Sequence, residues 1–175
     1  MKRVLCCFFC SCALATPPDF TAFGLSQAQK EEMQEKYQEF SRSKRWQGAA
    51  CKVEFDKEEY EIKFYMDALQ DYNSTTEGII ASLDYAYKEY EKLLDKYYLI
   101  AKNSLPTHLK DALNNDQIEW LNFQAAQEAY LDKHYAFLSA LNGGEAELSI
   151  DKKRASLAFL TKRVVELFEG YYCQP

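Results

Sequence analysis

Apolar positions along most of this chain repeat at the three-to-four-residue spacing of an α-helix. The clearest case is residues 74–101, where one helix face of about seven turns is apolar throughout. Ser74 and Glu77 have the spacing of a capping box, so this helix is predicted to begin there. The face consists of Ile79, Ile80, Leu83, Tyr87, Tyr90, Leu94, Tyr97 and Ala101.

Two helices are predicted before this one, within residues 26–72. The first has a thin apolar face of Met33, Tyr37 and Phe40, which indicates a peripheral position. The second contains a short strand-like alternation, but a longer helical repeat from Ile62 to Tyr72 favours a helix.

Two helices are predicted after it. Pro106 disfavours a helical residue before it and suits the first turn of a helix that extends to about residue 141. A connection at Gly143 and Gly144 follows, and Ser149 is expected to cap the last helix. Its apolar face is predicted to hold Leu157, Leu160, Val164, Phe168 and Tyr171. The expected fold is all-α, a mostly antiparallel bundle of about five helices in one domain.

The helix across residues 116–135 is unusual, because its most apolar stripe includes three polar side chains. An unpaired polar group on a buried face costs roughly 1–3 kcal/mol, so partners are expected on neighbouring helices. Asp84 and Arg163 are the candidate partners, and we expect a structural polar network. The stripe contains Gln117, Trp120, Gln124, Glu128, Leu131 and Tyr135.

The N-terminus has the pattern of a secretory signal. Lys2 and Arg3 precede an uncharged run that ends in Ala-Leu-Ala at residue 15. This run is shorter than the roughly 20 residues that span a bilayer, so we predict a cleaved signal at 1–15 and a mature domain at 16–175. Lipidation at Cys12 is the less favoured alternative. The expected location is periplasmic or secreted.

Removal of this signal changes the cysteine count and the charge. Only Cys51 and Cys173 remain, and an oxidising compartment favours a disulfide between them, with two free thiols as the alternative. Loss of Lys2 and Arg3 leaves 19 basic residues against 27 acidic ones, a net charge of −8. Such a charge argues against nucleic acid and favours a cationic protein partner, although acidity can also serve solubility alone.

The sequence offers little for catalysis. His108 and His134 are far apart, and carboxylate pairs such as Glu58 and Glu59 lie on faces predicted to be exposed. No phosphate-binding loop or metal-ligand spacing is recognisable. We therefore predict a protein that is not an enzyme and that uses no cofactor.

Four short motifs occur in order along the chain: LDYAY at 83–87, QIEW at 117–120, GGE at 143–145 and TKR at 161–163. Their order resembles the secreted lysozyme inhibitors known as the LprI-like family. That family follows its tryptophan with an arginine and a cysteine, where this chain has Gln124 and Glu128. The resemblance covers about 95 residues, 78–172, within a helical core of residues 74–172. It implies an exported helical binding module associated with lysozyme inhibition.

Three functions follow as hypotheses. The first is inhibition of a cationic lysozyme-like muramidase through the connection that contains Gly143, Gly144, Glu145 and Glu147. The second is an envelope scaffold or adaptor that binds another exported protein through a helical groove. The third is a small-ligand binder that uses the tyrosine-rich interior.

Overall fold

The protein folds into five α-helices, as seen in a computed structural model that describes Phe20 and residues 23–173. No strand occurs among these residues, which confirms the predicted all-α class. The predictions for residues 1–15 and for Cys12 lie outside the described residues. The helices are α1 (Gln27–Ser43), α2 (Ala50–Tyr72), α3 (Thr76–Ser104), α4 (Thr107–Asn142) and α5 (Glu145–Leu167), followed by a π-helical turn at Phe168–Tyr172.

The helices pack around α3. Its most extensive contacts are with α5 and α2, while α4 packs mainly against α5, and α1 packs against α2. Two-residue connections join α3 to α4 and α4 to α5, which is typical of antiparallel neighbours. Met33 is the one buried residue of α1, in agreement with its predicted peripheral position.

Helix α3 starts one residue later than the capping-box prediction. Thr75, not Ser74, is the N-cap, and its hydroxyl accepts a hydrogen bond from the Gly78 amide at 3.2 Å. Asn73 determines this position, because its side-chain oxygen accepts hydrogen bonds from the amide and the hydroxyl of Thr75.

The start of α5 was also predicted too late. Gly143 and Gly144 adopt positive φ angles of 68° and 77°, which glycine tolerates, and α5 begins directly at Glu145. Ser149 therefore lies inside the helix, where its hydroxyl donates to the Glu145 carbonyl at 2.7 Å. At the other end of α4, Pro106 is the N-cap rather than a first-turn residue.

The main core lies between α2, α3 and α5. Tyr97, Leu160 and Leu167 are fully buried there, and the rings of Phe55 and Phe168 stack 4.2 Å apart. Tyr171 was predicted to face inward but is exposed. The π-helical turn explains this error, because its wider spacing brings Tyr172, not Tyr171, to within 5.6 Å of the Tyr97 ring.

A disulfide joins the first turn of α2 to the end of the described chain. Cys51 and Cys173 are bonded in the structure, with their Cα atoms 5.6 Å apart, as the cysteine count predicted. The bond closes a loop across 122 residues and therefore holds the two sides of the main core together.

Helix α2 is further held by hydrogen bonds between its carboxylates and tyrosines of neighbouring elements. Glu58 and Glu59, expected to be exposed and unpaired, are two of these acceptors. Burial is the first cause that raises the pKa of each phenol. The pairs are Tyr172 with Glu54, Tyr97 with Glu58, Tyr90 with Glu59 and Tyr37 with Glu61, at 2.9, 2.8, 3.2 and 3.1 Å.

Candidate functional site

The polar stripe of α4 faces the bundle, and a buried arginine of α5 satisfies part of it. Arg163 is only 7% exposed. Its Nη2 donates to the Gln117 side-chain oxygen at 2.9 Å and to the Asp116 carboxylate at 2.5 Å. The guanidinium carbon also lies 5.8 Å from the centre of the Trp120 ring. Arg163 is therefore the partner of this stripe, as expected.

The middle of the stripe contacts α3 through Tyr87. Gln124 Nε2 donates to the Tyr87 hydroxyl at 2.7 Å. Burial raises the pKa of Tyr87, and the nearby charges of Glu128 and Glu91 raise it further. Because that charge effect requires proximity, Glu128 lies on the same side of α4 as Gln124.

Asp84 does not join this network, contrary to the prediction. It pairs with Lys153 of α5 at 2.6 Å, and both side chains are partly exposed. Tyr87, one turn further along α3, supplies the contact to α4 instead. The expected network is thus divided between two interfaces, α3 with α5 and α4 with its neighbours.

The outer face of α4 is more apolar than this inner stripe. Of the fifteen exposed residues between 118 and 141, eleven are Ala, Ile, Leu, Phe or Tyr. Within the same stretch, Gln124, Gln127 and Glu128 are partly buried. The inner side of α4 thus combines these polar groups with Trp120 and the buried Leu131, while its outer side carries more exposed apolar residues than an ordinary surface helix.

Large side chains on this face form a ridge. Phe123, Tyr130 and Phe137 follow one another at seven-residue intervals, which places them on one side of the helix, and Leu141 continues the row. Each of the four is at least 60% exposed. The ring of Phe123 also contacts Phe159 of α5 at 5.4 Å, which fixes one end of the ridge to the bundle.

A row of alanines lies on another part of the exposed surface of α4. Ala125, Ala129, Ala136 and Ala140 recur at four- and seven-residue intervals and are all exposed. At 3.6 residues per turn this row lies about 100° round the helix from the ridge, with Asn122, Ala126 and Lys133 between the two. At the rise of an α-helix, residues 118–141 extend over about 36 Å. We call this ridge and alanine row, between residues 118 and 141, the outer α4 face.

The outer α4 face carries little charge. Glu119, Asp132 and Lys133 are its exposed charged residues, and Asp132 forms an ion pair with Lys152 of α5. A partner that docks here must therefore make mainly apolar contacts and only a few contacts with charged residues.

The predicted contact at residues 143–147 is a tight turn. Gly143 and Gly144 connect the two helices, and the exposed Glu145 and Glu147 lie in the first turn of α5. Carboxylates at this position stabilise a helix N-terminus, typically by about 0.3–1 kcal/mol. Both residues therefore have a structural role besides any contact with a partner.

Helix α1 leaves an open cleft against α2. It has a volume of about 670 Å³, with Met33, Phe40, Phe64 and Tyr72 among its lining residues. Charged residues of both signs also line it, including Lys36 and Asp67. An adaptor that binds its partner through a helical groove is one of the three hypotheses, and this cleft beside the thin apolar face of α1 is a groove of that kind.

Neither a metal-binding cluster nor a membrane-spanning helix occurs in the described part of the chain. Within Phe20 and residues 23–173, no three His, Cys, Asp or Glu side chains are grouped so as to bind a metal ion. In the same part of the chain, none of the helices combines the length and apolar content needed to cross a bilayer.

Comparison with known proteins gives no family assignment. No family model, curated protein or solved structure matches this chain. The resemblance to LprI-like inhibitors therefore stays a prediction that rests on its four motifs, and the function must be argued from the surface itself.

Proposed function

We propose that this protein is an exported, non-catalytic helical binding protein whose outer α4 face docks another protein. The single observation that carries the proposal is the exposed apolar ridge of α4, in which Phe123, Tyr130, Phe137 and Leu141 are each at least 60% exposed. Exposed apolar surface is unfavourable in water and typically marks an interaction site. A helix that exposes a row of large apolar residues has the surface expected of an interface.

The ridge favours a helical partner. Side chains of a second helix can pack against the row formed by Phe123, Tyr130 and Phe137. Two copies of this chain, each with a predicted net charge of −8, repel one another at long range. The proposed partner is therefore a different exported protein, neutral or cationic, with an apolar helix face.

Charge introduced into the outer α4 face tests this proposal. A photoreactive side chain in place of Asn122 should crosslink the exported protein to one partner. The variant Ala129→Glu with Phe137→Glu should then bind the purified partner at least about tenfold more weakly, because interface centres contain the energetically dominant residues. Both positions are exposed, so the variant should retain its helical content.

The matched control places the same charges at exposed positions of α1. Ala28→Glu with Phe40→Glu changes an exposed alanine and an exposed phenylalanine of α1 and should bind as the wild type does. An equal loss of partner affinity in both variants, or a loss of affinity in the α1 variant alone, would contradict docking on α4. A crosslinked dimer of this chain would contradict the proposed partner.

Inhibition of a lysozyme-like muramidase is a second candidate. The predicted charge of −8 and the exposed Glu145 and Glu147 support it, because a basic enzyme would be attracted to them. The protein at stoichiometric concentration should slow the lysis of bacterial walls by a c-type lysozyme at low salt. The effect should weaken as salt shortens the Debye length to about 8 Å at physiological ionic strength.

Charge reversal at the turn locates the inhibitory contact. Glu145→Lys with Glu147→Lys should reduce inhibition, whereas Glu35→Lys with Glu39→Lys, in the exposed face of α1, should not. Undiminished lysis with the wild-type protein would remove this candidate. Equal effects of the two variants would remove the turn as its site.

A further inference from the structure

A second cleft lies between α2, α3 and α5, away from α4. Its volume is about 580 Å³, within the range of roughly 300–1,000 Å³ found for small-molecule sites. Ile62 and Leu83 form the buried part of its floor, and Met66 and Leu157 are partly exposed to it. The cleft therefore offers an apolar surface to a ligand without any change in the core.

The rim of this cleft is basic although the protein is acidic. Lys63, Arg154 and Lys162 are among its lining residues, whereas no carboxylate is. The chain as a whole has 27 acidic and 21 basic residues, so the charge of the rim is opposite in sign to the net charge of the chain. A ligand in this cleft would meet positive charge at its exposed edge.

The rim cations are available for a ligand, because their present ion pairs are weak. Each pairs with a carboxylate of its own helix: Lys63 with Glu59 at 2.9 Å, Arg154 with Asp151 at 3.4 Å and Lys162 with Glu166 at 3.9 Å. All three cationic side chains are more than half exposed. Exposed pairs of this kind contribute at most about 1 kcal/mol and exchange readily with another anion.

Neutral polar groups complete the rim. Gln70 of α2 and Thr161 of α5 line the cleft beside the cations and can donate hydrogen bonds to an anionic head group. Tyr90 also lines it, but its hydroxyl already donates to Glu59 at 3.2 Å. The donors thus lie around an apolar floor, an arrangement that suits a ligand with one charged end.

We propose that this cleft binds an anionic amphiphile, with its hydrocarbon chain on the floor and its carboxylate or phosphate head at the basic rim. The site is independent of the proposed docking on α4, because it uses none of that helix. Arg154 and Lys162 are eight residues apart on α5, about 12 Å along the helix axis. The α5 side of the cleft therefore has two cations about two turns apart, and Lys63 lines the cleft from α2.

Calorimetric titration with four probes of the same chain length tests the ligand class. Dodecanoate and dodecyl phosphate, kept below their micelle concentrations, should each bind once to the disulfide-intact protein. Dodecanol and dodecyltrimethylammonium should bind at least about tenfold more weakly, because they cannot pair with the rim cations. Acetate and inorganic phosphate alone should not bind detectably, since they lack the chain.

Variants locate the binding in the cleft. Arg154→Gln with Lys162→Gln should lower the affinity for both anions about tenfold, since each exposed ion pair increases the affinity at most about fivefold. The control Lys88→Gln with Lys133→Gln removes the same charge from exposed positions on α3 and α4 and should change affinity less than about twofold. Circular dichroism should show unchanged helix content in both.

Several results would overturn the proposal. They are equal affinity for all four head groups, equal loss in the two double variants, or no binding of either anionic monomer. Anionic phospholipid vesicles separate a monomeric ligand from a bilayer surface. Binding to vesicles alone, with the same dependence on Arg154 and Lys162, would show a membrane-facing patch and not a cleft for monomers.

Discussion

Helices α3 and α4 differ in what they leave exposed. Helix α3 directs Leu83, Tyr90 and Tyr97 into the core, where both tyrosines hydrogen-bond to carboxylates of α2. Helix α4 buries Leu113 and Leu131 but leaves large apolar residues exposed, namely Phe123, Tyr130, Phe137 and Leu141. An exposed apolar side of a helix indicates a packing partner, and for α4 that side points away from this bundle.

The two helices also differ in how they are anchored. Helix α3 packs against α2 and α5. Tyr90 and Tyr97 bond it to carboxylates of α2, and the disulfide joins α2 to the end of the described chain. Helix α4 is attached mainly to α5, through Arg163 and through the stacked rings of Trp120 and Phe159. It adds Leu113 to the core and retains a large exposed apolar surface.

The largest expected effect concerns the anchoring of the core. Cys51→Ser with Cys173→Ser should lower the free energy of unfolding by up to about 4–5 kcal/mol, because the disulfide restrains a long loop in the unfolded chain. Urea denaturation of the variant and of the wild type, with and without reductant, measures this. Reduced wild type should match the variant. Two titratable thiols in unreduced, denatured wild type would contradict the pairing.

A matched pair of leucines tests the contrast between core and outer face. Leu160 is fully buried on α5, whereas Leu141 is 63% exposed on α4. Leu160→Ala should cost about 2–5 kcal/mol of stability, but Leu141→Ala should change it by less than about 0.5 kcal/mol. Equal losses in urea denaturation would mean that Leu141 packs within the bundle.

A matched pair of cations on α5 tests the attachment of α4. Arg163→Met should cost about 1.5–3 kcal/mol, because it removes buried hydrogen bonds from a charged group to Asp116 and Gln117. Lys153→Met removes a half-exposed pair with Asp84 and should cost at most about 1 kcal/mol. A smaller loss for Arg163→Met than for Lys153→Met, by thermal or urea unfolding, would contradict this account.

The smallest expected effect is a loss of stability in alkali. Burial raises the pKa of Tyr65 to about 12, with a further contribution from the Glu61 charge, and burial also raises the pKa of Tyr85. An unfolded tyrosine has a pKa of about 10, so the stabilising contribution is present below that pH and is lost as pH rises through the folded values.

These phenols should therefore leave the urea midpoint unchanged below about pH 10 and lower it as the pH rises from about 10 to about 12. The variant Tyr65→Phe should show a smaller fall, because one buried phenol is removed. A midpoint that does not change with pH, or an undiminished fall in Tyr65→Phe, would show that burial of this phenol does not control the loss.

The sequence predicts what depends on spacing. Helical periodicity indicates five helices, the cysteine count indicates the disulfide, and the polar stripe indicates Arg163 as a partner. The predictions at Ser74 and Ser149 fail because caps depend on local backbone geometry at Asn73 and Gly144. Asp84 is misassigned because periodicity does not determine how each helix is rotated against its neighbours.

The apolar ridge of α4 follows from spacing, but its exposure does not. The heptad of Phe123, Tyr130 and Phe137 is evident from the sequence. An apolar row at helical spacing usually forms core, so this heptad alone does not indicate an exposed surface. The contacts of Gln117 with Arg163 and of Gln124 with Tyr87 show which side of α4 faces the bundle, together with the buried leucines of the helix.

Hydroxyl-radical footprinting tests the central claim most directly, by comparing the purified protein with the protein in its native exported fraction. Labelling of Phe123, Tyr130, Phe137 and Leu141 should be strong in the purified protein and reduced in the native fraction, where the partner covers α4. Phe40 and Tyr72, which are exposed elsewhere, should be labelled equally in both. Equal labelling of the α4 residues in the two samples would contradict docking on this face.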